Sequence, residues 1–418
     1  MSRASPSSPP LFNRTIEADG VSPLAASTPE PRGCDAPDLM PALTGIRLPL
    51  ALWVVVHHIS GPGRMLDRVS AASPALHALI EPAWVALSAF FAISGFVIGR
   101  RYRATVWSRE ALGRFAAARF ARIYPVYFLS LLILAPIIWQ TIRHDHLGTR
   151  VQRAGLLLDY VLLLQGWKWP STDWNTPAWS LSCEVFFYAC APIVVRLVRR
   201  TSWASILATA AVACVVPIAI RLLIDPPIPK APLYFGDFLI GVAAATLYDH
   251  CRSRRMPLHR VGPWLQWPAF ALGIALLLFR DALGPFLLFD TGVRLVSALL
   301  VFGLACGGGW LDRVLSSRMV LAGGCASYAI YILHIPVLWW FERWKWDVAY
   351  PPMYAGVVYI GVVFVLSVIV SRWYEEPANA WVRRWWADRR RVTGVEVATA
   401  SRVPREAMAG TTVRMSDT

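Results

Sequence analysis

Residues 154–167, AGLLLDYVLLLQGW, decide the topology of this chain. The stretch is apolar but short, and it carries Asp159, so it falls in the length range where a re-entrant or interfacial helix competes with a span. Its surroundings leave no doubt about the medium. The 418 residues are 56% hydrophobic and include 20 tryptophans, with a mean hydropathy of +0.46, against roughly 45–50% apolar residues in soluble domains. Ten other apolar runs lie at about 42–59, 83–99, 123–142, 178–198, 203–224, 232–248, 264–279, 286–306, 327–342 and 353–374, and about 20 residues suffice to cross a bilayer as a helix.

Charge arbitrates the doubtful stretch, since short cytoplasmic loops carry the excess of Lys and Arg. The 100–122 loop holds Arg100, Arg101, Arg103, Arg109, Arg114, Arg119 and Arg122 against Glu110. If 154–166 does not span, RLVRR (196–200), HCRSRRMPLHR (250–260) and the tail with Arg383, Arg384, Arg389, Arg390 and Arg391 fall on the same side. If it spans, all of them are thrown to the other. The expected fold is therefore all-α, a polytopic membrane helical bundle of about ten transmembrane helices plus a partly re-entrant hairpin at 143–177, with both termini cytoplasmic.

Residues 1–39, rich in Ser, Pro and Ala and without an apolar run, are expected to be a disordered cytoplasmic tail rather than a cleavable signal peptide. The membrane domain is expected over 40–378, and 379–418 as a basic, mostly disordered cytoplasmic tail. The net charge of +15 reads as positive-inside charge with attraction to anionic membrane lipids, not as a nucleic-acid surface. The seven cysteines stand singly, without a CxxC pair or metal-ligand spacing, and read as small core residues. No metal site is expected. No inverted repeat of the transporter kind is visible.

Ionisable residues inside such segments are functional hypotheses by default. In TGIRLPLALWVVVHHIS (44–60), Arg47 and His58 are eleven residues apart, almost three whole turns, so they share one helix face about 16 Å apart along the axis. His57 points elsewhere and reads as interfacial. Snorkelling of Arg47 to the inner interface is the competing explanation. In ARFARIYPVYF (118–128), Arg119 and Arg122 stand at i, i+3 and suit a phosphate or pyrophosphate, though positive-inside anchoring explains such a pair equally well. In NTPAWSLSCEVFFYACAP (175–192), Glu184 has Ser180 one turn before it and Tyr188 one turn after. It needs a partner from another helix, as an acid–base or orienting group or as a structural ion pair. In SYAIYILHIPVLWW (327–340), Tyr331 and His334 are i, i+3, and a lone intramembrane histidine often only bonds a neighbouring helix. In FFAISGFVIG (90–99), Ser94 and Gly95 read as close helix packing rather than as a nucleophile.

Taken in order, these stretches resemble the acyltransferase-3 family of integral membrane acyltransferases, which O-acylate cell-surface sugars. LTGIRLPLALWVVVHH matches its G-[LI]-R followed by histidine eleven residues after the arginine, and FFAISGFVI its FF-x-x-SGF. RFARIYP matches its R-x-x-R-[IL]-x-P, WSLSCEVFFY its WSLS-x-E-x-x-F-Y, SYAIYILHIPV its SY-x-x-Y-x-x-H, and YEEP its final E-x-P. The resemblance covers about residues 40–380. It departs where many relatives carry acids and this chain has Ser88 and Val185. The roughly 40 residues after YEEP are too few for the SGNH-type hydrolase domain that some relatives fuse there.

The resemblance implies a catalytic His58 with Arg47 as its companion and Glu184 as a required carboxylate. It makes Arg119 and Arg122 the paired arginines of R-x-x-R, and these two, with Trp179, Ser180, Tyr331 and His334, are the expected substrate-binding residues. The expected reaction moves an acyl group, acetyl above all, from acyl-CoA to a hydroxyl of a carbohydrate or glycolipid such as lipopolysaccharide or exopolysaccharide, in the bacterial inner membrane. Acetyl-CoA is then a donor substrate and no cofactor is bound. Acyltransfer to a small hydroxylated metabolite or a lipid is the alternative, and a transporter or flippase is the alternative from another class. Within the expected site Glu184 orients the His58 imidazole or stabilises its cation, and Tyr331 or Ser180 helps to hold the oxyanion.

Overall fold

The computed structural model describes residues 40–144, 149–167, 174–200, 202–283 and 289–400. The expected tail 1–39 and residues 401–418 lie outside them. Among the described residues the secondary structure is helical, without strands. A short α1 (Pro41–Gly45) leads into α2 (Arg47–Ser60), followed by α3 (Asp67–Ala71), α4 (Pro74–Ile80), α5 (Val85–Arg101), α6 (Arg109–His144) and α7 (Arg150–Val161). Then come α8 (Ala178–Leu197), α9 (Trp203–Leu223), α10 (Lys230–Ser253), α11 (Leu258–Leu278), α12 (Arg280–Leu283), α13 (Phe289–Cys306) and α14 (Gly309–Leu315). The chain ends with α15 (Arg318–Arg343), α16 (Trp346–Ala349), α17 (Pro352–Val370), a π-helical turn (Ser371–Glu375) and α18 (Glu376–Ala400).

Nine helices among the described residues are long and apolar enough to cross a membrane, and a bent pair, Asp290–Cys306 with Gly309–Leu315, brings the number to ten. The bend of 84° falls at Gly307, Gly308 and Gly309, whose φ values of +72°, +81° and +85° are open to glycine and costly for other residues. The stretch at 154–167 does not make a span. Its helix α7 is 12 residues, about 18 Å, opened by a Thr149–Gln152 capping box and anchored where Tyr160 packs on Trp174. The protein is thus an all-α polytopic membrane bundle. The tail expected to be mostly disordered from 379 begins as a continuation of α18 as far as Ala400. Five cysteines, Cys183, Cys190, Cys214, Cys251 and Cys306, are free. Cys325 is disulfide-bonded, a pairing that sequence spacing does not reveal.

Small residues set how closely the central helices approach. A Cβ on Gly95 would run into the Phe238 carbonyl of α10, and one on Gly241 into the Ala92 carbonyl of α5. Across the bundle, Gly324 of α15 meets the Thr44 carbonyl. In a bilayer this packing drives association, because lipid tails are as apolar as the side chains. The reading of Gly95 as a packing element therefore agrees with the structure. Gly95→Ala is expected to destabilise the bundle by about 1–3 kcal/mol, measured as a lowered melting temperature of the detergent-solubilised protein.

Candidate active site

Helix α2 carries the site along its length. At its end, His58 faces His334 of α15, whose Nε2 lies 3.3 Å from His58 Nδ1. The same His58 nitrogen is 2.8 Å from the Val54 carbonyl oxygen, and His334 Nδ1 is 2.8 Å from the Tyr331 carbonyl oxygen. Carbonyls only accept, so both Nδ1 atoms carry protons when the rings are neutral. His334 Nε2 then accepts a share of the His58 proton, and His58 Nε2 keeps a bare lone pair. His334 itself is fully buried, with its own carbonyl receiving the Tyr359 hydroxyl at 2.7 Å. Both its nitrogens are engaged with Tyr331 and His58, and neither is left for a further partner. His57 turns away to the Ile80 carbonyl at 3.3 Å.

The start of α2 belongs to a cluster of arginines and carboxylates. The Arg47 guanidinium lies 6.0 Å from the Phe90 ring centroid and interacts electrostatically with Arg122, Glu184 and Glu375. Arg122 is ion-paired with Glu375 and stacks on Tyr328 at 5.3 Å. Arg119 sits in a cage of Tyr102, Phe115 and Tyr188 at 5.9, 5.7 and 5.6 Å, and its buried Nε has no hydrogen-bond partner. The two arginines of the i, i+3 pair therefore differ: Arg122 is already neutralised, while Arg119 retains an unused donor.

Glu184 lies in this arginine cluster. It accepts the Tyr188 hydroxyl at 2.8 Å and interacts with Arg47, Arg122 and Arg119. The ring beside His58 is His334, which takes the orienting position expected of Glu184. Ser180 and Tyr331 meet, the Tyr331 hydroxyl donating to Ser180 Oγ at 2.9 Å and Ser180 Oγ to the Pro177 carbonyl at 2.8 Å. Both protons expected to serve an oxyanion are thus held in a chain ending on backbone. Trp179, the neighbouring residue, packs on Tyr234 at 5.2 Å, with Lys230 Nζ 4.2 Å from its ring centroid.

Two features escaped the sequence reading. Glu375 is the acid of the E-x-P match in YEEP, and the sequence assigns it no role; the π-helical turn points it inward, 2% exposed, while Trp373 in the same turn is 78% exposed. Such turns recur at functional sites. The other is a set of charges inside apolar runs, Asp237 of α10 with Arg294 of α13, and Arg221 of α9 with Asp290. An acid or arginine within a span was the available signal.

The family model described as an acyltransferase domain matches residues 40–372. "Acyltransferase MdmB" of Streptomyces mycarofaciens is 29% identical over 330 residues, covering 73% of this chain and 80% of that protein. "Putative peptidoglycan O-acetyltransferase YrhL" of Bacillus subtilis (strain 168) is 22% identical over 371 residues, covering 81% of this chain and 54% of that protein. No solved structure matches significantly. The matched region contains both ends of α2 and every predicted site residue, and the chain belongs to the acyltransferase-3 family, an integral membrane acyltransferase.

Proposed function

We propose that the protein is an O-acetyltransferase that moves an acetyl or other short acyl group from acyl-CoA to a hydroxyl of a cell-surface carbohydrate, with His58 as general base. The observation that carries this reading is the division of α2. A histidine with a bare Nε2 stands at one end, and a cluster of three arginines stands about 16 Å away at the other. The name of the Bacillus relative, a peptidoglycan O-acetyltransferase, supports acetyl transfer to a glycan. Bacterial relatives and the basic loops support the inner membrane with both termini cytoplasmic.

The donor's phosphates approach from the cytoplasmic side, where Arg119 and Arg47 hold them, and the pantetheine arm reaches along α2. His58 Nε2 takes the proton of the acceptor hydroxyl as its oxygen attacks the thioester carbonyl. Collapse of the tetrahedral adduct expels the CoA thiolate, and the imidazolium returns the proton to it. An imidazole accepts a proton at a bare ring nitrogen and gives it back from the same atom, which suits both halves of this exchange. Glu184 and Glu375 keep the arginines spaced for the donor.

The deciding comparison is a deletion strain against the same strain complemented with wild type, by mass spectrometry of its surface glycans. Loss of an acetyl increment on deletion and its return with wild type is expected. An unchanged glycan would overturn the surface-sugar acceptor and leave small metabolites and lipids. Arg119→Gln is expected to raise KM for acetyl-CoA about ten- to hundredfold, since a hydrogen bond to a charged group is worth about 1.5–3 kcal/mol. Steady-state kinetics in membranes check it.

A further inference from the structure

We propose that a groove between α6 and α18 holds an acyl chain of an anionic phospholipid, whose headgroup rests on the arginines beside it. Gly113, Ala116, Ala117 and Phe120 of α6 face Trp381 and Trp385 of α18 across a cavity of about 370 Å³. Two further α18 side chains complete the lining, and every lining residue is apolar or aromatic. None of them belongs to the candidate active site, so the groove does not depend on the acyl-transfer reading.

The space follows from side-chain size. Gly113, Ala116, Ala117 and Phe120 recur at helical spacing on one face of α6, and three of the four are too small to fill the gap to the partner helix. On α18, Trp381 and Trp385 stand one turn apart and stack at 6.5 Å, while Phe120 stacks on Tyr124 at 4.8 Å. Phe120, Trp381 and Trp385 are all exposed, an aromatic set of the kind that settles at the headgroup level of a bilayer. Length agrees with that depth. Helix α6 is 36 residues, about 54 Å, against about 30 Å of hydrocarbon, so its arginine-bearing turns reach the headgroup layer.

The lining selects the occupant's tail and the surrounding charge its head. An extended peptide would bury backbone N–H and C=O groups against walls that offer almost no partner for them, whereas an acyl chain brings no polar group. The Arg389 guanidinium lies 4.1 Å from the Trp385 ring centroid, and Arg109, Arg114, Arg383 and Arg384, each within one turn of a lining residue, are exposed. The acids among them are Glu110, 3.3 Å from Arg114, and Asp388. The excess of arginine favours an anionic headgroup over a zwitterionic one.

The test mixes the full chain in dodecyl maltoside with equal amounts of dioleoylphosphatidylglycerol and dioleoylphosphatidylcholine and counts retained lipid by native mass spectrometry. One phosphatidylglycerol is expected to be retained at least tenfold over phosphatidylcholine, since each arginine beside an anionic headgroup adds about fivefold. Ala117→Trp, which fills the groove, should lose that lipid. Arg384→Gln with Arg389→Gln, at two exposed positions, should leave the melting temperature unchanged and cut the preference about tenfold, which keeps the test open if Ala117→Trp does not fold. A second arm identifies the occupant in native membranes: Leu112, beside the groove, is replaced by the photo-cross-linker p-benzoylphenylalanine, and a phospholipid adduct is expected. Equal retention of the two lipids by wild type, or unchanged retention and preference in the folded variants, would overturn the proposal. A cross-link to residues 1–39 of the same chain, to a second copy or to another protein in place of the lipid would overturn it as well.

Discussion

His58→Ala is expected to lower acyl transfer by about 10²–10⁴-fold, the contribution of a well-placed general base, with the protein still present in the membrane. The side chain is half-buried and contacts the Val54 carbonyl, His57 and His334, so its removal leaves no ion-paired charge stranded. The loss should appear in kcat more than in either KM, because the imidazole acts on the proton in flight. His334→Leu makes the companion case. Its Nε2 shares the His58 proton with the Val54 carbonyl, so its loss removes one of the two acceptors that hold the His58 ring, and a smaller fall of about tenfold in kcat is expected. Product measured per unit of immunoblotted protein separates both effects from simple loss of the fold. Full activity in a well-expressed His58→Ala would remove His58 as the base.

Helix periodicity made Arg47 and His58 legible as one face, because a single helix fixes the relative directions of its own side chains. Loop charge made the stretch of α7 legible as a segment that does not cross, where its length left a span and a re-entrant helix in competition. What lies between helices was not legible. Glu184 was expected beside the imidazole and stands among arginines, while His334, read as a lone intramembrane histidine, stands against His58. Both placements depend on how α8 and α15 are rotated about α2. That rotation is set by contacts such as Gly324 on the Thr44 carbonyl, and no periodicity within one segment contains them. The inward turn of Glu375 depends on a π-helical register, which a 3.6-residue reading of the sequence places on the wrong face.

Arg122→Leu is expected to remove the protein from the membrane, and Arg122→Leu with Glu375→Leu to bring it back. Glu375 is buried and ion-paired with Arg122. Deleting one partner of such a pair strands a charge at a cost of about 3–5 kcal/mol, a large part of the roughly 5–15 kcal/mol that holds a domain together. Removing both leaves an apolar contact in surroundings that include Tyr328, and that exchange is often neutral. Membrane levels of the two variants by immunoblot check the first half. The second half is kinetic. Since Arg122 spends its charge on Glu375 while Arg119 keeps an unused Nε donor, the recovered double variant should show a smaller rise in acetyl-CoA KM than Arg119→Gln does. An equal or larger rise would make both arginines direct holders of the donor. A double variant that stays absent from the membrane would mean that the pair fixes helix register as well as cancelling charge.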